Sequence, residues 1–364
     1  MSLLQKPLVV QKFRDFHDYV KNNDGKIGLK QRGLDMNLNN GCNLKCEHCF
    51  TLSPQGLNTK ERIPVEKVKD IGDQADELGI FEIDLQGGEL LLNKEYLFDV
   101  LNALGTERFY VYLTTNGYFM TSEIATKLAE LGVDRVSVSI DSMDPETHDT
   151  FRGKKGSWER AINALKLVQE EGIAPYLNIT VGRYNVDSDD LRLLLEYSKD
   201  NRYTTLLNIA TPGGMWRNMH EICINDEDSH HLINMRKHYK NLLRNLWDPF
   251  DRNREGVIGC NTVNRLYITP IGDVLPCPYV HIKIGNIFES SLKQISENGF
   301  RVKYFREYSE KCLAGEDTTF IKKFMAKEDT TIFAPQLIKD LFSAEEILPD
   351  DISLPVPRHY SIMY

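Results

Sequence analysis

The sequence predicts an α/β protein: a partial barrel of six strand–helix repeats, (β/α)6, followed by a smaller C-terminal α+β region built on a β-hairpin. Short β-like runs at residues 34–39, 81–86, 109–114, 135–140, 175–180 and 204–210 alternate with stretches whose apolar residues recur at helical spacing. Such alternation argues for a parallel sheet with helices outside, and six repeats fall short of a closed eight-fold barrel. Beyond Thr211 the alternation stops, and two strand-like runs at 265–269 and 273–275, joined through Pro270 and Gly272, read as a hairpin.

Taken in order, residues 1–33 form a polar N-terminal segment with a helical pattern at 11–21. The barrel occupies 34–212, with helices expected at 65–78, 94–104, 122–131, 157–171 and 187–199. Gly105, Gly132 and Gly172 fall where these helices end. Residues 213–256 read as a linker dominated by one long helix, 226–247. The hairpin region spans 257–321. A tail over 322–364, rich in Pro, Phe and Tyr, either lines a substrate site or packs on the barrel.

Hydrophobic residues make up 41% and charged residues 27%, as in an ordinary folded domain. The formal net charge of −9 disfavours nucleic acid and anionic lipid as partners. No apolar run approaches the roughly 20 residues of a membrane span, and the N-terminus lacks a secretory pattern. Seven cysteines, three of them within eight residues, then point to metal binding in a reducing cytosol before disulfides.

The first cluster reads Gly41-Cys42-Asn43-Leu44-Lys45-Cys46-Glu47-His48-Cys49-Phe50. Three thiolates at C-x3-C-x2-C spacing can each bind a different iron of one [4Fe–4S] cube, leaving the fourth iron open to a ligand. The plainer alternative is structural zinc with His48 as fourth ligand.

This spacing, with Phe50 directly after the last cysteine, strongly resembles the signature of the radical S-adenosylmethionine (SAM) superfamily, whose core is a TIM-like barrel. The resemblance implies that the open iron takes the amino and carboxylate groups of SAM. Reduction of the cluster then frees a 5′-deoxyadenosyl radical, and Phe50 lies against the adenine. Gln86-Gly87-Gly88-Glu89 is similar to the family's Gly-Gly-Glu motif, which holds the methionine amino group, although Leu90 stands where proline is usual. Thr115 and Asn116 after the third strand, and Ser139 and Asp141 after the fourth, match strand-end patterns that meet the ribose and methionine carboxylate. Arg152 is a candidate carboxylate partner through bidentate pairing, or else an exposed helix-start arginine. Asn178 on the fifth strand is a further candidate for the same pocket.

Cys260 and Cys277 flank the hairpin, with Gly272 between them, and Cys312 arrives later. This arrangement strongly resembles the family's auxiliary-cluster extension, called SPASM or, when shortened, twitch. The resemblance implies one auxiliary [4Fe–4S] cluster on Cys260, Cys277 and Cys312, because the further cysteine-dense run of the full domain is missing. The plainer reading is three buried free thiols. The fourth auxiliary ligand is Cys223, a non-cysteine side chain or an open iron. Cys223 itself has two other readings: a hydrogen-atom donor to a substrate radical, or a buried cysteine packed between Ile222 and Ile224.

From the resemblance we expect hydrogen abstraction from a C–H bond, ending in oxidation or epimerisation, with a flavodoxin or ferredoxin-type electron donor. Only 41 residues precede Cys42, which favours a small-molecule substrate (a sugar, aminocyclitol or nucleoside in a specialised pathway) over a ribosomally made peptide. A non-catalytic zinc-stapled binding protein is the alternative from another class.

Overall fold

The computed structural model describes residues 6–56, 60–325 and 330–354. Six parallel strands, β1 (Gly33–Asn37), β2 (Glu82–Gln86), β3 (Tyr110–Thr115), β4 (Arg135–Ser139), β5 (Ala174–Val181) and β6 (Thr204–Ile209), pair in sequence order. Within a residue or two these are the six expected strands. Along β2, β3 and β4 the side chains alternate as the pleat requires. Ile83, Leu85, Val111, Leu113, Val136 and Val138 are buried outward against the helices. The intervening Asp84, Gln86, Tyr112, Thr114, Arg135 and Ser139 line a cavity inside the barrel.

Helix α1 (Pro7–Asn22) precedes the barrel. Around it lie α2 (Val65–Glu77), α3 (Lys94–Leu104), α4 (Ser122–Glu130), α5 (Pro145–Arg152), α6 (Ser157–Glu170) and α7 (Asp189–Asp200). The starts of α4, α5 and α7 are set by side-chain caps: Thr121 accepts from Ile124 N at 3.3 Å, Asp144 from Thr147 N at 2.8 Å and Ser188 from Leu191 N at 3.1 Å. Each such cap satisfies a backbone N–H with no partner inside its helix. Gly105, Gly132 and Gly172 follow helix ends at positive φ, as expected. The short helix α5 was not expected, and it carries Arg152.

Two expectations for the C-terminal third need correction. The long helix over 226–247 is shorter: α8 covers Asp226–His238, and the chain then forms β7 (Leu242–Leu243) on the free edge of β6. The edge of β6 offers unpaired backbone groups, and Leu242 takes them before another helical turn forms. The hairpin of β8 (Arg265–Ile268) and β9 (Asp273–Leu275) exists, but it does not stand apart. β8 pairs in parallel with β1, so hairpin and barrel share one ten-stranded sheet. Covered on both edges and both faces, every residue of β1 is buried.

The rest of the chain closes round this hairpin. β10 (Ile282–Lys283) precedes β11 (Gly285–Asn286), which extends the sheet beside β9, and then α9 (Leu292–Arg301). Among its described residues the tail packs on the rest of the chain, with Ile332 and Phe333 beside Tyr267 and Phe50, and Phe324, Met325 and Thr330 line a small cavity next to Tyr279. The tail's β12 (Gln336–Leu337) pairs with β10, and Phe320, Phe324 and Phe342 pack with Tyr304 and Phe305. The parts of the tail at 326–329 and 355–364 lie outside the described residues. Among the described residues no helix is long and apolar enough to cross a membrane.

Candidate iron–sulfur and SAM site

The loop after β1 carries Cys42, Cys46 and Cys49, three free thiols that are half-buried and face one cavity of about 180 Å³. The cavity opens at the C-terminal ends of the strands, where such barrels place their chemistry. Burial raises Cys46 and pushes Cys42 up to about 12, so thiolates at these positions need a positive charge beside them. Bound iron would supply that charge. A single ion would draw its ligands to about 2.0–2.3 Å of one centre, and among the described residues no three His, Cys, Asp or Glu groups are placed to hold one. His48 stacks on Phe151, with ring centroids 4.7 Å apart. A donor set of three separated thiols fits a cluster that offers each its own iron.

The backbone around these thiols is clamped from three sides. Gly88 lies against the loop, where a Cβ would meet Gly41 O at 2.3 Å, so only glycine permits the approach. Gly214, at φ +59°, is pressed on Cys49 in the same way, and Met215 N donates to Cys49 O at 3.0 Å. The end of α5 is the third clamp: Lys45 N donates to Arg152 O and Glu47 N to Phe151 O, both at 3.1 Å.

Of the residues expected in a SAM pocket, Phe50, Gly87, Gly88, Thr115, Asn116, Ser139, Arg152 and Asn178 line this cavity. Asn116 Nδ2 reaches Asn43 Oδ1 at 2.9 Å and Cys42 Sγ at 3.9 Å. Phe50 meets Tyr279 edge-on, with ring centroids 5.2 Å apart.

Two expected residues do not face the cavity, and a third is already committed. Glu89 is buried and its carboxylate accepts from Thr115 Oγ1 (2.6 Å), Asn116 N (2.9 Å) and Leu91 N (3.0 Å). These bonds tie the end of β2 to the end of β3. Asp141 accepts from Arg152 Nε at 2.6 Å and Thr180 N at 3.2 Å. Burial alone would raise Asp141, but Arg152 beside it holds it below the usual carboxylate range. Arg152 then points Nη1 at Cys46 Sγ, 3.8 Å away, so it serves the thiol loop rather than standing free for a carboxylate.

Cys260, Cys277 and Cys312 line a second cavity of about 90 Å³. Cys260 Sγ lies 2.9 Å from Thr262 Oγ1, and hydrogen bonding with the Cys312 thiol helps lower Cys260 to about 6. Glu316 fixes the third thiol: it accepts from Cys312 N at 2.8 Å while Arg244 grips both its oxygens. Both side chains of this ion pair are only 6% exposed. Glu316→Ala will leave Arg244 charged and buried without its partner. Denaturation should show a loss of about 3–5 kcal/mol, and iron analysis a loss confined to this second site.

Cys223 faces neither cavity. It is buried among Ala210, Trp216, Ile222 and Ile321, where burial pushes its thiol up to about 11. It lines instead a third, more open cavity with Arg183, Glu221 and Glu316, away from both thiol sets. Sequence reasoning missed the wall shared by the two cavities: Asp35, Asn208, Asn245, Arg265, Pro278 and Tyr279 line both. The alternating polar residues of β1, β6 and β8 were the available signal.

Comparison with known proteins agrees with this geometry. A model of the radical SAM superfamily matches residues 36–197, and one of an iron–sulfur cluster-binding domain, SPASM, matches residues 260–315. The chain is similar to the AdoMet-dependent heme synthase of Methanosarcina barkeri, 28% identical over 71% of this chain and 80% of the relative. It is also similar to the mycofactocin maturase MftC of Mycolicibacterium smegmatis, 28% identical over 78% of this chain and 76% of the relative. In fold it resembles Streptococcus suis SuiB bound to its precursor peptide SuiA, with a TM-score of 0.58 at 17% identity over 78% of this chain and 68% of SuiB.

Proposed function

Because the chain belongs to the radical SAM superfamily and carries a SPASM-type iron–sulfur domain, we propose that it abstracts hydrogen from a C–H bond of a substrate held in the barrel and completes an oxidation. One observation carries this reading: two thiol triads line two cavities that share a wall. A [4Fe–4S] cluster on Cys42, Cys46 and Cys49, with SAM, supplies when bound the reductive cleavage that starts radical chemistry.

The chain's own residues do the rest. Thr115, Asn116, Ser139 and Asn178, with the bare backbone of Gly87 and Gly88, orient SAM at the strand ends. Phe50 and Tyr279 form the aromatic side of that pocket and keep water from it. Glu89 and Asp141 position these groups from outside the cavity, and Arg152, which lines it, holds Asp141 and the Cys46 loop. The second thiol set, one wall away, favours oxidation. Epimerisation needs a thiol facing the substrate, and Cys223 packs elsewhere.

A sugar, aminocyclitol or nucleoside substrate has no counterpart among the relatives named above. A maturase among them favours a peptide, and a heme synthase keeps a small molecule as the second reading. The test is anaerobic turnover of the reconstituted enzyme with SAM, a reductant and candidate substrates, followed by mass spectrometry. We expect 5′-deoxyadenosine together with a product lighter by a hydrogen pair. A product of unchanged composition carrying solvent deuterium would replace oxidation with epimerisation.

A further inference from the structure

Below the strand ends, the interior of the barrel carries a layer of charge that the SAM pocket does not use. The strand registers set Asp35 beside Asp84, Asp84 beside Tyr112 and Tyr112 beside Arg135. All four line the first cavity, as does Arg265. Arg265 is bound to Asp35 and Glu82, and Arg32 to Glu82.

Arg135 differs from these arginines. Its guanidinium lies between two rings, 3.8 Å from the centre of Tyr112 and 4.2 Å from that of Tyr176. Its Nε donates to Ser137 Oγ at 3.1 Å, and among the described residues no carboxylate forms an ion pair with it. A stacked guanidinium fixed at Nε presents its outer N–H pair edge-on, the geometry that takes a planar anion bidentately. Arg265 Nη2, in the same layer, is buried and without a hydrogen-bond partner.

We propose that this layer is the substrate's recognition site, and that it takes a carboxylate group on Arg135. The inference rests on reading the barrel interior as the substrate chamber, and it adds the chemical class of the group that enters. Charge supports a single negative charge. Burial, then the neighbouring Asp35 carboxylate, push Asp84 up to about 8. Arg32 and Arg265 are paired with Glu82 and Asp35, so with Asp84 protonated the positive charge left to balance among the described residues is that of Arg135. A phosphate dianion would exceed that and meet Asp35 in the same layer. An amide or hydroxyl would leave the charge of Arg135 unanswered.

The test uses the reconstituted, SAM-loaded enzyme and acid–amide pairs as probes: benzoate with benzamide, and propionate with propionamide, with inorganic phosphate as a third arm. Thermal protection under anaerobic conditions is read as a function of probe concentration. The acids should protect and the amides should not. In Arg135→Gln the apparent affinity for the acids should fall roughly tenfold or more, as the loss of a charge-assisted pair does. Should Arg135→Gln not fold, Arg135→Lys keeps the charge but not the fork, and it should bind the acids more weakly than wild type. The surface variant Arg192→Gln should behave as wild type. Amides as effective as acids, no protection by any acid, or undiminished binding in both Arg135 variants would overturn the proposal. Phosphate protecting in preference to the acids would overturn the assignment to carboxylate. 5′-Deoxyadenosine measured in the same samples reports separately on radical initiation, so acid binding without it would cost the functional reading and leave this one standing.

Discussion

Changing Cys42, Cys46 and Cys49 together to alanine will abolish 5′-deoxyadenosine formation and lower bound iron from about eight atoms per chain to about four. The effect is this large because the three thiols face one cavity and no other cysteine lines it. Cys260, Cys277 and Cys312 line the neighbouring cavity and should keep their own iron. Iron and sulfide counts on the two proteins decide the matter. About four irons in wild type, all lost in the variant, would remove the auxiliary cluster and the oxidation it supports. Zinc without sulfide would remove the radical reading entirely.

The second large effect is on stability. Arg265 is 5% exposed and binds Asp35 Oδ1 and Glu82 Oε2, each at 2.6 Å. Arg265→Ala strands a buried carboxylate with no counter-charge, and breaking such a pair costs about 3–5 kcal/mol. The loss should be visible in denaturation midpoints at neutral pH. Its pH dependence follows from Glu82. Burial alone would raise Glu82, but Arg32 and Arg265 outweigh it and hold the group at about 2, against an ordinary 4.5. A depressed carboxylate contributes its full stability above the ordinary value and loses it as pH falls toward the folded-state value. The difference between wild type and Arg265→Ala should therefore be widest above pH 4.5 and narrow below it. A difference independent of pH would show that the lost term is packing rather than charge.

The parts of this protein legible in the sequence are those written locally. Alternation along Glu82-Ile83-Asp84-Leu85-Gln86 marks a strand with a polar inner face, and the spacing of Cys42, Cys46 and Cys49 marks a cluster loop. The direction in which a strand-end carboxylate points is not local. Glu89 and Asp141 look like ligand-holding groups in sequence, yet Thr115, Asn116, Thr180 and Arg152 claim their oxygens once the strands are side by side. Arg152 reads as a carboxylate partner in sequence, and the structure pairs it with Asp141 of this chain while it lines the cavity. The helix expected to run to residue 247 fails for a similar reason. Its apolar spacing was real, but Leu242 finds a strand edge that only the assembled sheet provides. Cys223 is more local: the flanking Ile222 and Ile224 point to packing, and it is buried among Ala210, Trp216, Ile222 and Ile321.

The pairing of β8 with β1 joins residues some 230 positions apart. On a ribosome adding about 5–20 residues per second, β1 waits on the order of ten to fifty seconds for that neighbour to be made. During that interval the nascent barrel carries an open edge of unpaired backbone groups, with the loop bearing Cys42, Cys46 and Cys49 next to it. Synthesis of this protein thus includes a window in which a chaperone has a defined strand to shield. Expression that outpaces such protection should yield aggregates nucleated at β1 rather than at the surface of the finished fold.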